Sequence, residues 1–578
     1  MKWIFLRLLM GSILLLFCGL LQAQVDGPLK TYVYANDPAY GYRLVGQERG
    51  DGFNLYFLNM DSQNWRTEKE VTPTLWNHWL TLIVPDQLTT STANLIIYHG
   101  ANSSSPPDRE EMAVFFPIAI KTGSIQVVIQ QVPAQSLKFT ELDDVLNEDD
   151  LISYSWRKVM DSGDPTWSAY LPMTKAVVRG MDSAQDFIAD LQGFELEHFI
   201  ITGFSKRGAI AWLTAAIDSR VSAVVPGDYN ILFLDKQIEH HYNSYGFFSS
   251  ALTSYEKQRI FDEIHSPEGQ LLMDLVDPIN YKQALTMPHL ILNATGDEFF
   301  LPDASEAYIH DIPGETLQRL IPNSNHTFVG KSKELIQGLI AWYQSQLGAL
   351  PRPQINWQLD QNGDLEVSSD QTPIGVKLWQ ATNTKARDFR DSTLGKGWRA
   401  SKLEVGQDGL YRAKIVPPVE GYTAYMVELT YPGVADMPQV YTTSVFITPD
   451  VEPFEQEHAL ANPRSSDYWA KQVGDVLLGQ PQDYSYETLQ AMLPIRVLGE
   501  YITSVEALAV NLDSSEAKQY CTAARLNVQA GEIGWYTTLG VSNEKNVKYW
   551  EPYQLAETFS LNGADILAAM ICRILTEY

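Results

Sequence analysis

Between Asn94 and the region of Trp342, short apolar β-branched runs alternate with segments of helical period, and this alternation leaves few folds open. The runs "NLIIYHG" (Asn94–Gly100), "SIQVVIQQVP" (Ser124–Pro133), "HFIITGFS" (His198–Ser205), "VSAVVPGD" (Val221–Asp228), "HLILNATGDEFF" (His289–Phe300) and "TLQRLIP" (Thr316–Pro322) are bounded by turn residues, as buried strands are. Helical stretches stand between them, near Arg109–Lys121, near Pro172–Leu191, from Lys206 onward and after "NSNH". Units of this kind predict a mostly parallel sheet with helices on both faces. Chemistry in such sheets collects at the carboxyl ends of the strands. Upstream, "GFNLYFLNMDSQNW" and "HWLTLIVPDQ" alternate apolar with polar residues and predict an antiparallel pair that opens the sheet.

The chain has 578 residues, too many for one hydrophobic core. Two proline-bearing seams divide it, "LGALPRPQINW" near Leu350–Trp357 and "ITPDVEPFEQEHALANPRSS" near Ile447–Ser466. Between them the short runs "GVKLWQATN", "GLYRAKIVPP", "TAYMVELTYPG" and "VYTTSVFITP", separated by turn residues, predict an antiparallel β-sandwich. After the second seam, "YSYETLQAMLPIRVLGEYI" and "ADILAAMICRILTEY" have helical spacing. The expected domains are thus an α/β domain over 24–349, a β-sandwich over 352–450 and a mainly helical region over 465–578. An insertion over about 229–287, rich in aromatic residues, has the length and composition of a lid.

The first 23 residues carry Lys2 and Arg7, then an apolar core, then Ala23, the pattern of a cleaved secretory signal. Phe17 before Cys18 disfavours a lipid-anchored start, because such sites take a small residue there. No later run is apolar enough to span a bilayer, which points to a secreted or periplasmic protein without an integral membrane segment. With 70 acidic and 42 basic residues the net charge is −28, which argues against nucleic acid as a partner. Beyond the leader the only cysteines are Cys521 and Cys572, candidates for a disulfide in an exported protein. No Cys/His cluster has metal-site spacing, and no cofactor or metal is expected.

Three polar residues fall at strand ends in the order serine, acid, histidine: Ser205, Asp297 and His326. This is the chain order of an α/β-hydrolase triad. A serine hydroxyl needs a base to take its proton, and the imidazole that does so needs a carboxylate to hold its tautomer. Gly203 gives the turn its room, while the second glycine of the usual G-x-S-x-G is displaced by Arg207 to Gly208. The backbone N–H of Lys206, at the helix start, and a donor from the loop at Gly100 or Ala101 are the expected oxyanion hole. The side chains of Lys206 and Arg207 suit either a substrate carboxylate or structural ion pairs, the latter favoured for Arg207. Asp228 also ends a strand and is the alternative acid. Glu298 and Asp303 read as loop or capping groups, and His99, His240 and His241 do not follow the last strand as His326 does.

The blocks "SQNW", "EDDLISYSWRKVMDSGDPTW", "LPMTKAVVRGMD", "GFSKRGAIAWLTAAIDSRVSAVVP", "GDEFFLPDA" and "IPNSNH" resemble the PhoPQ-activated pathogenicity-related protein family, from about Tyr32 to beyond Trp342. The resemblance implies an exported α/β-hydrolase-like protein, of a family tied in bacteria to virulence and antimicrobial-peptide resistance and in amoebae to an extracellular growth signal. It places the family's triad on Ser205, Asp297 and His326 and makes the Ser-Lys-Arg-Gly elbow the family's own. The sequence departs from the family pattern at "GFSKRGAI", which lacks a Trp after the glycine, and at Ala134. Both departures bear on substrate more than on chemistry.

These readings lead to a serine hydrolase of peptides or small esters. Two other classes stay open: an extracellular binding or signalling protein on a hydrolase scaffold with a vestigial triad, and a carbohydrate-active esterase using Trp357, Trp379 and Trp398 against sugars.

Overall fold

The structure is a computed structural model. It describes residues 27–454 apart from 362, 435 and 436, and beyond them 466–478, 486–491, 495–497, 500–502, 504–512, 516–529, 538–539, 547–548 and 572. The leader, Cys18 and all of "ADILAAMICRILTEY" except Cys572 lie outside the described residues.

Nine strands form the main sheet: β1 (Gly41–Arg49), β2 (Phe53–Asn64), β3 (Leu75–Pro85), β4 (Thr92–Ile97), β5 (Gln126–Ile129), β6 (His198–Phe204), β7 (Val221–Gly227), β8 (His289–Ala294) and β9 (Thr316–Ile321). Their order is β1-β2-β3-β5-β4-β6-β7-β8-β9. The pairs β1–β2, β2–β3 and β3–β5 are antiparallel, and every later pair is parallel. The strands β4–β9 are short and apolar because both of their faces are covered. On one face α1 (Phe116–Thr122) packs with a helix at Ser332–Gln346, and on the other a helix at Tyr170–Gln192 packs with one at Lys206–Ile217. With α2 (Glu148–Ser162), the last three in chain order are α3 (Tyr170–Gln192), α4 (Lys206–Ile217) and, after the insertion, α5 (Ser332–Gln346). This is an α/β-hydrolase fold. The antiparallel opening pair read from the sequence is β2 with β3, and β1 extends it at the edge.

The segment after α5 holds two antiparallel sheets. β10 (Ile355–Leu359), β11 (Leu365–Ser369) and β14 (Tyr411–Ala413) make the first. β12 (Gly375–Asn383), β13 (Arg399–Lys402), β15 (Tyr422–Val434), β16 (Met437–Thr442) and β17 (Phe446–Thr448) make the second. Leu365, Val367 and Ala413 from one sheet join Val376, Leu378, Val427 and Leu429 from the other in a core that continues into Leu339–Tyr343 of α5. The seam at Leu350–Trp357 is therefore no flexible joint. Thr442 Oγ1 accepts from the backbone of Leu320 at 3.0 Å and the Val440 carbonyl from Arg319 at 3.2 Å, so the edge strand β9 is covered. The α/β part and the sheets that follow it form one compact unit.

A second compact unit comprises Ile238–Gly246, Arg259–Leu271 and Glu452–Tyr578. Its C-terminal part contains helices at Ser466–Leu477, Tyr486–Ala491, Val505–Leu512 and Glu516–Gln529. The helical reading of "YSYETLQAMLPIRVLGEYI" holds only to Ala491; Ile495–Val497 and Glu500–Ile502 pair as a hairpin. Cys521 and Cys572 are joined by a disulfide with Cα atoms 5.0 Å apart. Parts of the insertion, Ile238–Gly246 and Arg259–Leu271, belong to this unit, whereas its roots stay with the α/β part.

Candidate active site

Ser205 stands between β6 and α4 at φ 57°, ψ −132°, a conformation that L-residues rarely adopt. Its backbone N–H bonds the Gly227 carbonyl at 2.8 Å and its carbonyl receives the Gly208 N–H at 2.7 Å. Such a strained strand–turn–helix carries the serine clear of the sheet. Two glycines make it fit. A Cβ on Gly203 would meet the Arg207 carbonyl oxygen at 2.1 Å, and one on Gly208 would meet the Gly227 oxygen and Tyr229 Cβ, each at 2.8 Å. Close approach to β7 thus requires glycine at 208, not at 207, which explains the displaced second glycine.

His326 lies in the loop after β9, and its Nδ1 is 2.8 Å from Asp297 Oδ2. Asp297 follows β8, is 2 % exposed, and also accepts from Phe299 N at 2.7 Å, Phe300 N at 3.3 Å and Asn293 Nδ2 at 3.3 Å. Burial works against the charged imidazolium, but the Asp297 carboxylate outweighs it and holds the His326 pKa above the ordinary histidine value. Lys206 opposes that rise and Asp149 assists it, so both charges act on the ring. The His326 loop and the Ser205 turn are neighbours, with the rings of Phe204 and Phe328 edge-on at 6.1 Å. Phe299 and Phe300 pack on the imidazole at 4.4 and 5.8 Å.

Asp228 ends β7, takes a positive φ of 44° and is 3 % exposed. Polar atoms of Asp228, Asp297 and His326 lie within 4.8 Å of one another. The hydrogen bond to His326 comes from Asp297; Asp228 is a close neighbour whose Oδ1 has no partner. Glu298 accepts the backbone N–H of His326 at 3.1 Å and so braces the loop, a role beyond the capping read from the sequence. Asp303 pairs with Arg387 at 2.6 Å.

Lys206 and Arg207 are each 7 % exposed and both bind Glu148, with Lys206 Nζ at 2.8 Å and Arg207 Nη2 at 2.7 Å. Lys206 also reaches Asp149 at 3.2 Å, and Arg207 Nε donates to the Val132 carbonyl at 2.6 Å. Their charges serve internal ion pairs. The Gly100–Ala101 loop is fixed by amide side chains: Gln135 donates to Gly100 O at 3.2 Å and Gln131 to Ala101 O at 2.9 Å. Gln135 in turn donates to Glu148 at 2.6 Å, so the elbow and the Gly100 loop share one anchor. Glu148, Gln131 and Gln135 were not singled out in the sequence. Only the acidic start of "EDDLIS" hinted at Glu148, and nothing local linked it to a residue 58 positions on.

The other candidates have contacts of their own. His99 stacks on Tyr98 at 4.2 Å, His240 pairs with Glu452 at 2.5 Å and His241 packs on Tyr245 at 4.8 Å. Trp398 is buried at 2 % exposure, Trp379 donates to Glu428 at 3.2 Å and Trp357 packs against His310 at 5.8 Å. Among the described residues no helix is long and apolar enough to cross a membrane.

Among solved structures, the acetyl xylan esterase from Paenibacillus sp. R4 is 16 % identical with a TM-score of 0.40, covering 55 % of this chain and 92 % of that one. The Pyrococcus horikoshii acylaminoacyl peptidase is 13 % identical with a TM-score of 0.33, covering 54 % and 50 %. The autocrine proliferation repressor protein A of Dictyostelium discoideum is 31 % identical over 469 residues, 76 % of this chain and 94 % of that protein. The pattern of the PhoPQ-activated pathogenicity-related proteins matches residues 29–390, which contain the elbow, the Asp297–His326 pair and their braces. The chain belongs to the PhoPQ-activated pathogenicity-related protein family.

Proposed function

We propose that the chain is an exported serine hydrolase that cleaves small esters or peptides through Ser205, His326 and Asp297. The observation that carries this reading is the combination of Ser205 at positive φ on the tip of β6 with His326 bonded to a buried carboxylate at the tip of β8. In the reaction Ser205 Oγ attacks the substrate carbonyl while His326 Nε2 takes its proton. Asp297, on Nδ1, keeps Nε2 free as the acceptor and stabilises the imidazolium that forms. The oxyanion falls to the N–H of Lys206, at the positive end of α4, and to the Gly100–Ala101 loop. Collapse expels the alcohol or amine, protonated by His326, and water repeats the cycle on the acyl-enzyme. The Phe247–Gln258 stretch of the insertion, in the same compact unit as the triad, acts as the lid and is held through Tyr255, whose hydroxyl donates to Asp149 at 3.0 Å.

Chromogenic acyl esters and aminoacyl peptides, offered to the full mature chain and to Ser205→Ala, test this. Turnover by the wild type that disappears in the variant supports the reading; equal rates in both overturn it.

A second reading is favoured by the relative named as an autocrine proliferation repressor. Here the chain acts as an extracellular signal and the triad is incidental. Full retention of a growth-repressing effect by Ser205→Ala supports this alternative, and loss of the effect rejects it.

A further inference from the structure

Among the described residues, Asp228 is the buried acid beside the triad to which the reaction above assigns nothing. It lies with Asp297 and His326 in a single cluster of polar atoms within 4.8 Å, at 3 % exposure. The two carboxyl groups have unequal surroundings. Asp297 receives four N–H donors, from His326, Asn293, Phe299 and Phe300, whereas Asp228 Oδ1 has no hydrogen-bond partner. Two carboxylates this close in a site shielded from water cannot both carry charge cheaply, and the donors decide which one does.

We propose that Asp228 is the uncharged companion of the triad acid, keeping its proton while Asp297 is ionised, so that one negative charge rather than two acts on His326. The inference rests on the serine-hydrolase reading for its catalytic consequence, though not for the protonation state itself. Burial, then repulsion from Asp297 and Glu298, pushes the Asp228 pKa well above the usual carboxylate range, in the same sense. The charged groups acting on the imidazole are then Asp297, Lys206 and Asp149. A second anion at 228 would bind the His326 proton more tightly and withdraw the base at neutral pH. Asp228 is thus a neutral neighbour of the triad and a reserve: with Asp297 gone, it is the nearest group able to ionise beside His326.

Two measurements test this. Infrared difference spectra of the intact protein at pH 7 read the protonation state without reference to activity. The carbonyl band of a protonated carboxylic acid is expected in the wild type and in Asp277→Asn, which removes a second buried acid, one pushed up to about 7; it is expected to weaken in Asp228→Asn and to vanish when Asp228→Asn is added to Asp277→Asn. Absence of the band from both the wild type and Asp277→Asn overturns the proposal even if the enzyme is active. Kinetics read the consequence. Asp228→Asn replaces one neutral group by another, so kcat stays within about threefold and the His326 midpoint stays in place. Adding Asp228→Asn to Asp297→Asn costs about a further tenfold or more, the scale of a lost hydrogen bond to a charged group. A loss in Asp228→Asn as large as in Asp297→Asn, or a midpoint that falls, shows a charged Asp228 and overturns the proposal. Loss of the infrared band with wild-type protein lacking any turnover condemns both readings; a retained band without turnover condemns only the hydrolase reading.

Discussion

Arg207 and Glu148, 59 residues apart, form a two-point ion pair, with Nη2–Oε1 at 2.7 Å and Nη1–Oε2 at 3.3 Å. The pair fixes the first turn of α4 to the start of α2, and through Gln135 it also fixes the Gly100 loop. Glu148→Ala leaves Arg207 buried without its carboxylate. The expected loss is about 2–3 kcal/mol, below the range for a fully buried pair because 38 % of the Glu148 side chain is exposed. Denaturant unfolding measures it, and a loss under about 0.5 kcal/mol would class the pair with ordinary surface bridges.

The same carboxylate has a pH signature. Burial disfavours its ionised form, yet the Arg207 and Lys206 cations prevail and hold its pKa well below the usual range. A depressed carboxylate contributes stability above its unfolded-state pKa, about 4.3, and loses it as pH falls through the folded value. Wild type is therefore expected to lose more stability than Glu148→Gln between about pH 5 and pH 2. Parallel acid-unfolding curves for the two proteins would contradict this.

Gly203→Ala places a methyl group 2.1 Å from the Arg207 oxygen. No side-chain rotation relieves a clash with backbone, so the elbow must shift at a cost of about 3 kcal/mol or more. Thermal unfolding should show the loss, and ester turnover should fall with it. A Gly203→Ala variant that melts like the wild type would mean that the turn is looser than described.

On the proposed mechanism His326 is the general base, works neutral and sets the acid limb of the rate; its pKa is raised because Asp297 outweighs burial. Activity is expected to rise with pH through a midpoint above the ordinary histidine value of about 6.5. Asp297→Asn should lower kcat by about 10⁴-fold with little change in KM and move the residual midpoint downward. A midpoint that stays at the wild-type value in this variant would show that the histidine answers to a different carboxylate.

Much of the candidate site was legible because each of its parts follows a strand. Ser205, Asp228, Asp297 and His326 each follow an apolar run, and adjacent parallel strands bring such ends together whatever the intervening chain does. Long-range partners were not legible. Glu148 opens a helix that reads like any acidic N-terminus, and only the folded chain sets it against Lys206 and Arg207. The join of the two antiparallel sheets to the α/β part was hidden for a related reason: the seam at Leu350–Trp357 has the prolines of a linker, but Leu320, Thr442 and α5 share one packed surface. In the C-terminal region, helical spacing outlasted the helix: Ile495–Val497 and Glu500–Ile502 keep an apolar period but pair as strands, because periodicity over so short a run does not separate the two.

The disulfide makes a separate prediction for the second unit. Cys521 and Cys572 are 51 positions apart, and closing a loop of that length removes about 4 kcal/mol of unfolded-state entropy on the chain-entropy account. Replacing both by Ser should lower the stability of that unit in guanidinium by up to this amount. An unchanged midpoint would mean that the link does not restrain the unfolded chain.

The central claim is that Ser205 is a nucleophile activated by His326, and covalent labelling tests it most directly. A fluorophosphonate probe reacts only with an activated serine, so intact folded protein should acquire one label, mapped by peptide mass to Ser205, and Ser205→Ala should acquire none. Labelling of His326→Ala should be slower by orders of magnitude while its melting stays near that of the wild type. Folded wild-type protein that takes up no label at Ser205, or label that persists in Ser205→Ala, would contradict the account.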